Sequence, residues 1–211
     1  MKENKSFWDS YASDFDAIYG TKNSFCNSVI NSLFRQAMRI RFEKTLDNIP
    51  TGKVSVIDIG CGPGHYCLSL AKEGHREIFG IDFSEPMIRI ATGRAKELGL
   101  DNSLRFEVVD VFSFTPARKF DYSIMMGFVE YFEHPEQVIS KAIDITNRKI
   151  MISFPADGGI LAFQRKLRYR SRCFLKLYHR EDIEDLMAVL KISSYSIERI
   201  DRDFFVTITL N

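Results

Sequence analysis

Hydrophobic positions change their period near residue 50 of this 211-residue chain. Before that point they recur every three or four residues, which predicts two helices, over 6–18 and 24–47. Beyond it, short apolar runs alternate with helical patterns. The runs predict strands at 54–59, 77–82, 104–110, 120–127 and 149–154, and the helical patterns lie at 64–73, 84–98, 135–146 and 180–190. Two last apolar runs, 195–201 and 204–210, predict a closing hairpin, whereas 156–177 follows neither period.

Strands that alternate with helices favour a doubly wound parallel sheet, because parallel neighbours need a helical crossover. The crossovers are expected to be right-handed. The closing hairpin adds one antiparallel strand, which such sheets accept at an edge. Ligands bind these sheets at the carboxyl ends of the strands. We call this edge of the sheet the rim. The predicted strand ends bring four features to the rim, namely the glycine turn at 60–64, Asp82, Asp110 and Gly127.

Composition narrows the function classes. The formal net charge is +1, so no overall electrostatic field favours nucleic acid as a partner. The four cysteines form no CxxC pair and have no zinc spacing with histidine, which predicts no metal site and a reducing, cytoplasmic environment. The polar N-terminus lacks the pattern of a signal peptide. No apolar run approaches the ~20 residues of a membrane-spanning helix, so no membrane span is expected.

The segment VIDIGCGPGHYCLSL joins a buried strand to a helix through Gly60, Gly62 and Gly64. Glycines in such a turn allow a positive φ and let a ligand approach the backbone closely. The spacing is GxGxG, which differs from the GxGxxG of dinucleotide-binding proteins, and no GK[ST] follows as in a P-loop. Nothing basic in the turn is suited to a pyrophosphate. The turn therefore predicts a cofactor site for a ligand without phosphate.

Acidic residues end the next two predicted strands. Asp82 can accept hydrogen bonds from both hydroxyls of a ribose. Asp110 can meet the amino group of an adenine, and Val111 can pack against the adenine ring. A ligand with a ribose and an adenine fits these positions. Asp82 alone suits NAD as well as other adenosine ligands.

The chain resembles the class I S-adenosylmethionine-dependent methyltransferases, in the branch that acts on small molecules. VIDIGCGPG is similar to their first motif, GIDFSEPMI to their second and VVDVF to their third. FDYSIMMGFVEYFEHPEQVI is similar to their fourth strand and its loop. The resemblance implies a Rossmann-like, doubly wound α/β sheet of seven strands in the order 3-2-1-4-5-7-6 with strand 7 antiparallel, N-terminal helices and a helical cap. It also implies S-adenosylmethionine as cofactor and S-adenosylhomocysteine as product.

The same resemblance implies a set of cofactor-binding residues, most of them on the rim. They are Tyr11, Tyr19, Asp58, Gly60, Cys61, Gly62, Gly64, Asp82, Phe83, Met87, Asp110, Val111 and Gly127. The methionine part would lie on the glycine turn, where Asp58 would help to place its ammonium group. Phe83 and Met87 would flank the adenosine, and Tyr11 and Tyr19 would close over the cofactor. Gly127 would line the methyl donor.

The loop after the fourth strand holds the candidates for acceptor chemistry, Glu130, Tyr131 and His134. Each could serve as a base or orient an acceptor. The alternative for His134 is a histidine that begins a helix and faces water. His179 and Asp182 are expected to begin the next helix without a chemical role. In-line methyl transfer depends chiefly on alignment, so the chemistry demands no fixed catalytic residue.

One methyltransferase domain is predicted over 1–211. It is divided into an N-terminal helical lid at 1–50, a cofactor-binding core at 51–154, a basic cap at 155–180 and a C-terminal helix and hairpin at 181–211. The cap has seven basic residues against a single acidic one. Two interpretations stay open. The cap could cover the pocket and attract an anionic acceptor, or contact a membrane surface. Alternatively, its basic residues form a solvated helix face.

A small-molecule acceptor is favoured, because no [DN]PP[YF] motif follows the fourth strand and no recognition domain is appended. The N-terminal lead-in and ISFPA bear a faint resemblance to the porphyrin carboxyl methyltransferases, and sugars, lipids and secondary metabolites remain open. One alternative is a module that binds the cofactor without catalysis and assists a partner enzyme. Another is a small NAD-dependent reductase, although GxGxxG and a YxxxK pair are both missing. The oligomeric state is not predicted.

Overall fold

The computed structural model describes residues 8–9, 28–74, 77–100, 102–158 and 174–210, with only the backbone described in 28–37. The elements are α1 Ser28–Asp47, β1 Ser55–Ile59, α2 His65–Lys72, β2 Glu77–Asp82, α3 Glu85–Glu97, β3 Leu104–Val108, β4 Phe120–Met125, α4 Pro135–Asp144, β5 Thr146–Pro155, α5 Arg180–Val189, β6 Tyr195–Ile200 and β7 Asp203–Thr209. A short 3₁₀ helix, Val129–Tyr131, follows β4. Trp8 and Asp9 are helical, and the rest of the helix predicted at 6–18 lies outside the described residues.

The strands form one sheet in the order β3-β2-β1-β4-β5-β7-β6. β7 runs antiparallel to both β5 and β6, whereas the other neighbouring strands are parallel. This order confirms the predicted seven-stranded topology. The order reverses between β1 and β4, so the ends of these two strands border the crevice where ligands of doubly wound sheets bind.

Helices cover both faces of the sheet, which explains why β1 is buried at all five of its positions. On one face, Val138 and Ile139 of α4 pack with Ile183 of α5 against the sheet. On the other face, Leu70 of α2 and Ile88 of α3 pack against β1, β2 and β4. Asp58 is the one charged residue of β1, and it lies on the α2 side of the sheet, where Cys67 of α2 contacts it.

Several predicted boundaries differ from the structure. The strand predicted over 149–154 begins three residues earlier, at Thr146, and the strand predicted over 104–110 ends at Val108, so Asp110 follows β3 instead of ending it. The helix predicted over 135–146 ends at Asp144, because the carbonyl oxygen of Ile145 accepts the Phe120 amide and Thr146 begins β5. The strand predicted over 120–127 ends at Met125, and Gly127 has φ 68°, which a strand does not accommodate. The chain therefore turns immediately after β4 and leaves Gly127 on the rim.

Candidate functional site

The glycine turn after β1 is held to the end of β2. The amides of Gly60 and Cys61 both donate to the carbonyl oxygen of Ile81, at 2.8 and 3.0 Å. Gly60, Gly62 and Gly64 have φ values of 74°, 51° and 80°, in the left-handed region that favours glycine. A Cβ on Gly60 would lie 2.2 Å from the Phe128 ring, so no side chain fits there. Gly60 and Gly62 are half-buried, so part of the backbone of the turn remains accessible to a ligand.

Asp82 ends β2 beside this turn. Its Oδ2 accepts the amide of Gly62 at 2.9 Å, and its Oδ1 accepts the amide of Ser84 at 2.9 Å. Burial raises the pKa of the carboxyl to about 6, although these backbone hydrogen bonds act in the opposite direction and the Asp9 carboxylate adds to the rise. Both oxygens keep lone pairs for further donors. Asp82 is therefore oriented for a ligand that offers hydroxyl groups.

Asp58 lies beneath the turn and is 2% exposed. Burial raises the pKa of its carboxyl to about 7, and the charge of Asp82 raises it further, against the lowering effect of a hydrogen bond from the Cys67 thiol at 3.6 Å. A nearby cation stabilises the ionised form of such a buried carboxyl. A positively charged group of a bound ligand would therefore be attracted to this end of the cleft.

The adenine positions adjoin Asp82. The Oδ1 of Asp110 accepts the amide of Phe112 at 2.9 Å, and Val111 is buried. Met87 of α3 is buried as well, whereas Phe83 is half-buried. The structure thus places Phe83 just after β2, Asp110 and Val111 just after β3, and Met87 in the first turn of α3. These positions offer a planar base apolar side chains and a carboxylate.

A buried polar cluster, formed by Arg41, Gly127, Glu130, Ser153 and Asp203, lies where β4, β5 and β7 meet the rim. The Gly127 amide donates to Ser153 Oγ at 2.8 Å, and Arg41 Nη1 donates to the same Oγ at 3.3 Å and to Asp203 Oδ2 at 3.4 Å. A Cβ on Gly127 would lie 3.9 Å from the Arg41 guanidinium and 4.0 Å from Glu130 Oε1. A cation and an anion therefore flank Gly127.

The remaining acceptor candidates have different environments. Glu130 is 1% exposed, and its carbonyl oxygen accepts the Lys176 amide at 2.9 Å. Tyr131 is half-buried and meets Trp8 edge-on, with 5.0 Å between ring centroids. His134 begins α4 and lies 3.2 Å from Glu136, with its side chain 67% exposed. The structure brings Glu130 to Gly127 and leaves His134 facing solvent.

The segment 174–179 completes the described wall of this region. Tyr178 is 1% exposed and packs edge-on against Phe154, and its hydroxyl has no hydrogen-bond partner among the described residues. Burial raises the pKa of this phenol, and the Glu130 carboxylate raises it further. His179 caps α5, and its amide donates to Asp182 Oδ2 at 2.7 Å, as predicted for these two residues.

Parts of the predicted site lie outside the described residues, namely Tyr11, Tyr19 and 159–173 of the basic cap. Within the described ranges, no three His, Cys, Asp or Glu side chains are grouped so that they could hold a metal ion. None of the helices in those ranges is long and apolar enough to cross a membrane.

Sequence reasoning missed Arg41, Ser153, Asp203 and Tyr178. Arg41 stands in MRIRFEK, where basic residues suggest a solvated helix face, although it is 7% exposed. Its partners are 112 and 162 positions away in the sequence. The only local signal was the helical stripe of 24–47, which allows residue 41 to face the protein.

The residues at the rim fit S-adenosylmethionine. Gly60 and Gly62 leave part of the turn backbone accessible, and the buried Asp58 and the half-buried Asp82 offer two carboxyls to a ligand with an ammonium group and a ribose. The Ser84 hydroxyl beside Asp82 is buried and has no hydrogen-bond partner among the described residues. A polar ligand at this position would satisfy it.

Comparison with known proteins shows where the chain belongs. Residues 50–172 match a family model described as a methyltransferase domain. The ubiquinone biosynthesis O-methyltransferase of Psychrobacter cryohalolentis is 29% identical over 162 residues, which are 76% of this chain and 54% of that protein. The ajmaline N-methyltransferase of Rauvolfia serpentina is 29% identical over 92 residues, 43% of this chain and 32% of that protein. The chain thus spans about a third to a half of these curated relatives.

Solved structures share the fold. The magnesium protoporphyrin IX methyltransferase of Synechocystis PCC 6803 with bound S-adenosylhomocysteine superposes with a TM-score of 0.77 at 20% identity, covering 98% of both chains. The 1,6-didemethyltoxoflavin-N1-methyltransferase of Burkholderia thailandensis, also with S-adenosylhomocysteine, has a TM-score of 0.74 at 15% identity and covers 100% of this chain and 88% of its own. The fold and the cofactor class predicted from the sequence are confirmed. With a family match over more than half of its length, the chain belongs to the methyltransferase domain family, in the S-adenosylmethionine-dependent class I.

Proposed function

We propose that this chain transfers a methyl group from S-adenosylmethionine to an oxygen, nitrogen or carbon atom of a small molecule. The observation that carries the proposal is the pairing of a turn with three glycines at positive φ with two carboxyls, the buried Asp58 and the half-buried Asp82, at adjoining strand ends. When bound, the cofactor supplies an electrophilic methyl group on a positively charged sulfur. The names and folds of the relatives support the same reaction class.

The residues on the β1–β3 side would hold the cofactor. Asp82 would accept hydrogen bonds from the ribose through the lone pairs that its backbone partners leave available. Asp58 would lie nearest the ammonium group and would become ionised as that cation approaches. Asp110 and Val111 would hold the adenine, with Phe83 and Met87 beside the adenosine. Gly60, Cys61, Gly62 and Gly64 would contact the methionine part through their backbone.

Glu130 is the residue best placed to act on the acceptor. Its Oε1 lies 4.0 Å from the position of a Cβ on Gly127, next to the backbone that follows β4 at the rim. At that position Glu130 would accept a hydrogen bond, and where necessary the proton, from a hydroxyl or ammonium group of the acceptor. Tyr131 would border the acceptor, and the exposed His134 would contact only an acceptor that extends toward solvent. Positioning contributes most of the rate in such a displacement, so we expect Glu130 to affect orientation as well as protonation.

The four-part division of the chain is also proposed: a lid at 1–50, a core at 51–154, a cap at 155–180 and a C-terminal unit at 181–211. The excess of basic residues in the cap supports an anionic acceptor. We propose a cytoplasmic location because the four cysteines are scattered and form no CxxC pair, which suits a reducing compartment.

The first experiment measures cofactor binding by isothermal titration calorimetry with S-adenosylhomocysteine. We expect a saturable heat signal with the wild-type chain, at least tenfold weaker binding in Asp82→Asn, and no binding of NADH. Unchanged affinity in Asp82→Asn would remove Asp82 from the ribose site. Binding of NADH without binding of S-adenosylhomocysteine would favour a reductase and refute the proposal.

The second experiment measures transfer from methyl-labelled S-adenosylmethionine to a panel of phenols, carboxylic acids and amines. Glu130→Gln should lower kcat with the best acceptor, and Glu133→Gln, an exposed neighbour with the same change of charge, should not. Equal rates in both variants would exclude Glu130 as a base. Binding of the cofactor with no transfer to any acceptor class would favour a module that binds without catalysis.

A further inference from the structure

Trp8 and Asp9 connect two distant parts of the rim. The Trp8 indole meets the Tyr131 ring at 5.0 Å and 77°, next to the end of β4. The Asp9 carboxylate lies near enough to Asp82, at the end of β2, to raise the pKa of that carboxyl. β1 and its glycine turn lie between β2 and β4 in the sheet. Residues 8–9 therefore lie over the region where the cofactor is proposed to bind.

The Asp9 carboxylate has an oxygen that accepts no hydrogen bond from the described residues. Its Oδ1 is buried and has no hydrogen-bond partner among them. Its charged neighbour Asp82 is itself an acid, so the two carboxylates repel each other. Buried polar atoms without partners are rare in native proteins and indicate a missing ligand or water. A ligand with several hydroxyl protons between Asp9 and Asp82 would remove both unfavourable features.

We propose that Asp9 is a second carboxylate of the ribose site, which accepts a hydrogen bond from one ribose hydroxyl while Asp82 accepts one from the other. This inference rests on the proposed function. A vicinal diol has two donor protons, and each oxygen of Asp82 already accepts one backbone amide. Sharing the diol between two acids gives each hydroxyl a charged acceptor, which is about twice as strong as a neutral one. Asp9 is thus a cofactor-positioning residue contributed by the N-terminal segment.

The test compares the binding of S-adenosylhomocysteine and its 2′,3′-dideoxyribose analogue by calorimetry. Asp9→Ala removes the acceptor, and Asp9→Asn keeps an acceptor oxygen but removes the charge. Asp47→Ala serves as the matched control, because Asp47 is exposed at the end of α1 and the charge change is the same. Asp82→Asn tests the proposed function in the same assay.

We expect Asp9→Ala to weaken S-adenosylhomocysteine binding about tenfold and to leave binding of the dideoxy analogue within about twofold of wild type. Asp9→Asn should fall between wild type and Asp9→Ala, and Asp47→Ala should match wild type. Wild-type affinity in Asp9→Ala would overturn the inference, as would an equal loss for both ligands, which would place Asp9 away from the diol. If Asp82→Asn loses affinity while Asp9→Ala does not, the proposed function stands and the role of Asp9 is refuted. If the wild-type chain does not bind S-adenosylhomocysteine, the proposed function itself fails.

Discussion

Replacing Gly60 by alanine should destabilise the protein in two ways, through backbone strain and through steric overlap of the added methyl group. The residue has φ 74°, and an L-amino acid in that region costs about 1–2 kcal/mol relative to glycine. The new Cβ would lie 2.2 Å from Cδ2 of Phe128, which is buried and packed against Phe132 at 4.9 Å between ring centroids. Overpacking of this kind costs about 1–3 kcal/mol. We therefore expect Gly60→Ala to lower the free energy of unfolding by about 2–5 kcal/mol.

Two other glycines separate these contributions. Gly74 has φ 93° and no atom within 4 Å of a Cβ, so Gly74→Ala should show the conformational cost alone. Gly80 does not have a positive φ, but its Cβ would lie 2.6 Å from the Phe106 ring and 2.9 Å from the Cys61 thiol. Gly80→Ala should therefore show the steric cost alone. The loss in Gly60→Ala should approach the sum of the other two.

Urea denaturation followed by circular dichroism gives the free energies of unfolding, and calorimetry with S-adenosylhomocysteine gives the affinities. We expect Gly60→Ala to lose affinity along with stability, because the displaced Phe128 ring lies beside the cofactor turn. Gly74→Ala should keep wild-type affinity. If Gly60→Ala were as stable as Gly74→Ala, the Phe128 ring would not exclude a Cβ at Gly60, and the steric argument would be wrong.

Four further outcomes follow from the charges and contacts of the site. A carboxyl whose pKa is raised in the folded state stabilises the protein below that pKa, so stability should fall as pH rises from about 4 to about 7, through Asp58 and to a smaller extent through Asp82. Asp58→Asn should remove the Asp58 share of this fall, on the order of 4 kcal/mol, and an equal fall from pH 4.5 to pH 8 in both proteins, measured by urea denaturation, would show that Asp58 titrates normally. A cationic ligand favours the ionised acids, so S-adenosylmethionine should bind more tightly as pH rises through about 6, with proton release measurable in buffers of different ionisation heat, and Asp82→Asn should weaken this dependence. Asp203→Asn should lower the free energy of unfolding by about 3 kcal/mol, because Arg41 loses a carboxylate partner in a buried site; a change below about 1 kcal/mol would contradict this. Trp8 is the one tryptophan of the chain, so its fluorescence should change on addition of S-adenosylhomocysteine, and an unchanged spectrum at saturation would place residues 8–9 away from the cofactor.

The sheet and its rim were predictable because their signals are local. A buried run that ends in GxGxG, and acidic residues at or just after the next strands, Asp82 and Asp110, are visible within a few residues of sequence. Parallel topology then brings these ends together, since carboxyl ends of parallel strands share one edge. The structure accordingly places Asp82 against the Gly62 amide.

The acceptor side was less predictable because its polar contacts join distant segments. Ser153 and Asp203 read as ordinary residues of strands, and only the fold brings them to Arg41. Tyr178 follows a stretch with no clear period, so its burial against Phe154 had no signal in the sequence. The boundary at Thr146 was missed for a similar reason, because pairing with β4 outweighs the helical pattern there.

The attachment of α1 has a consequence for the order of folding. Its last two turns are bound through Arg41 to β5 and β7 and through Lys44 to β6, and Asn48, which follows the helix, is bound to β5. These hydrogen bonds join residues 101 to 162 positions apart. Contacts across such separations form late, because long loops must close first. Because α1 is synthesised before β5, β6 and β7, its contact with Asp203 can form only after β7 has been made.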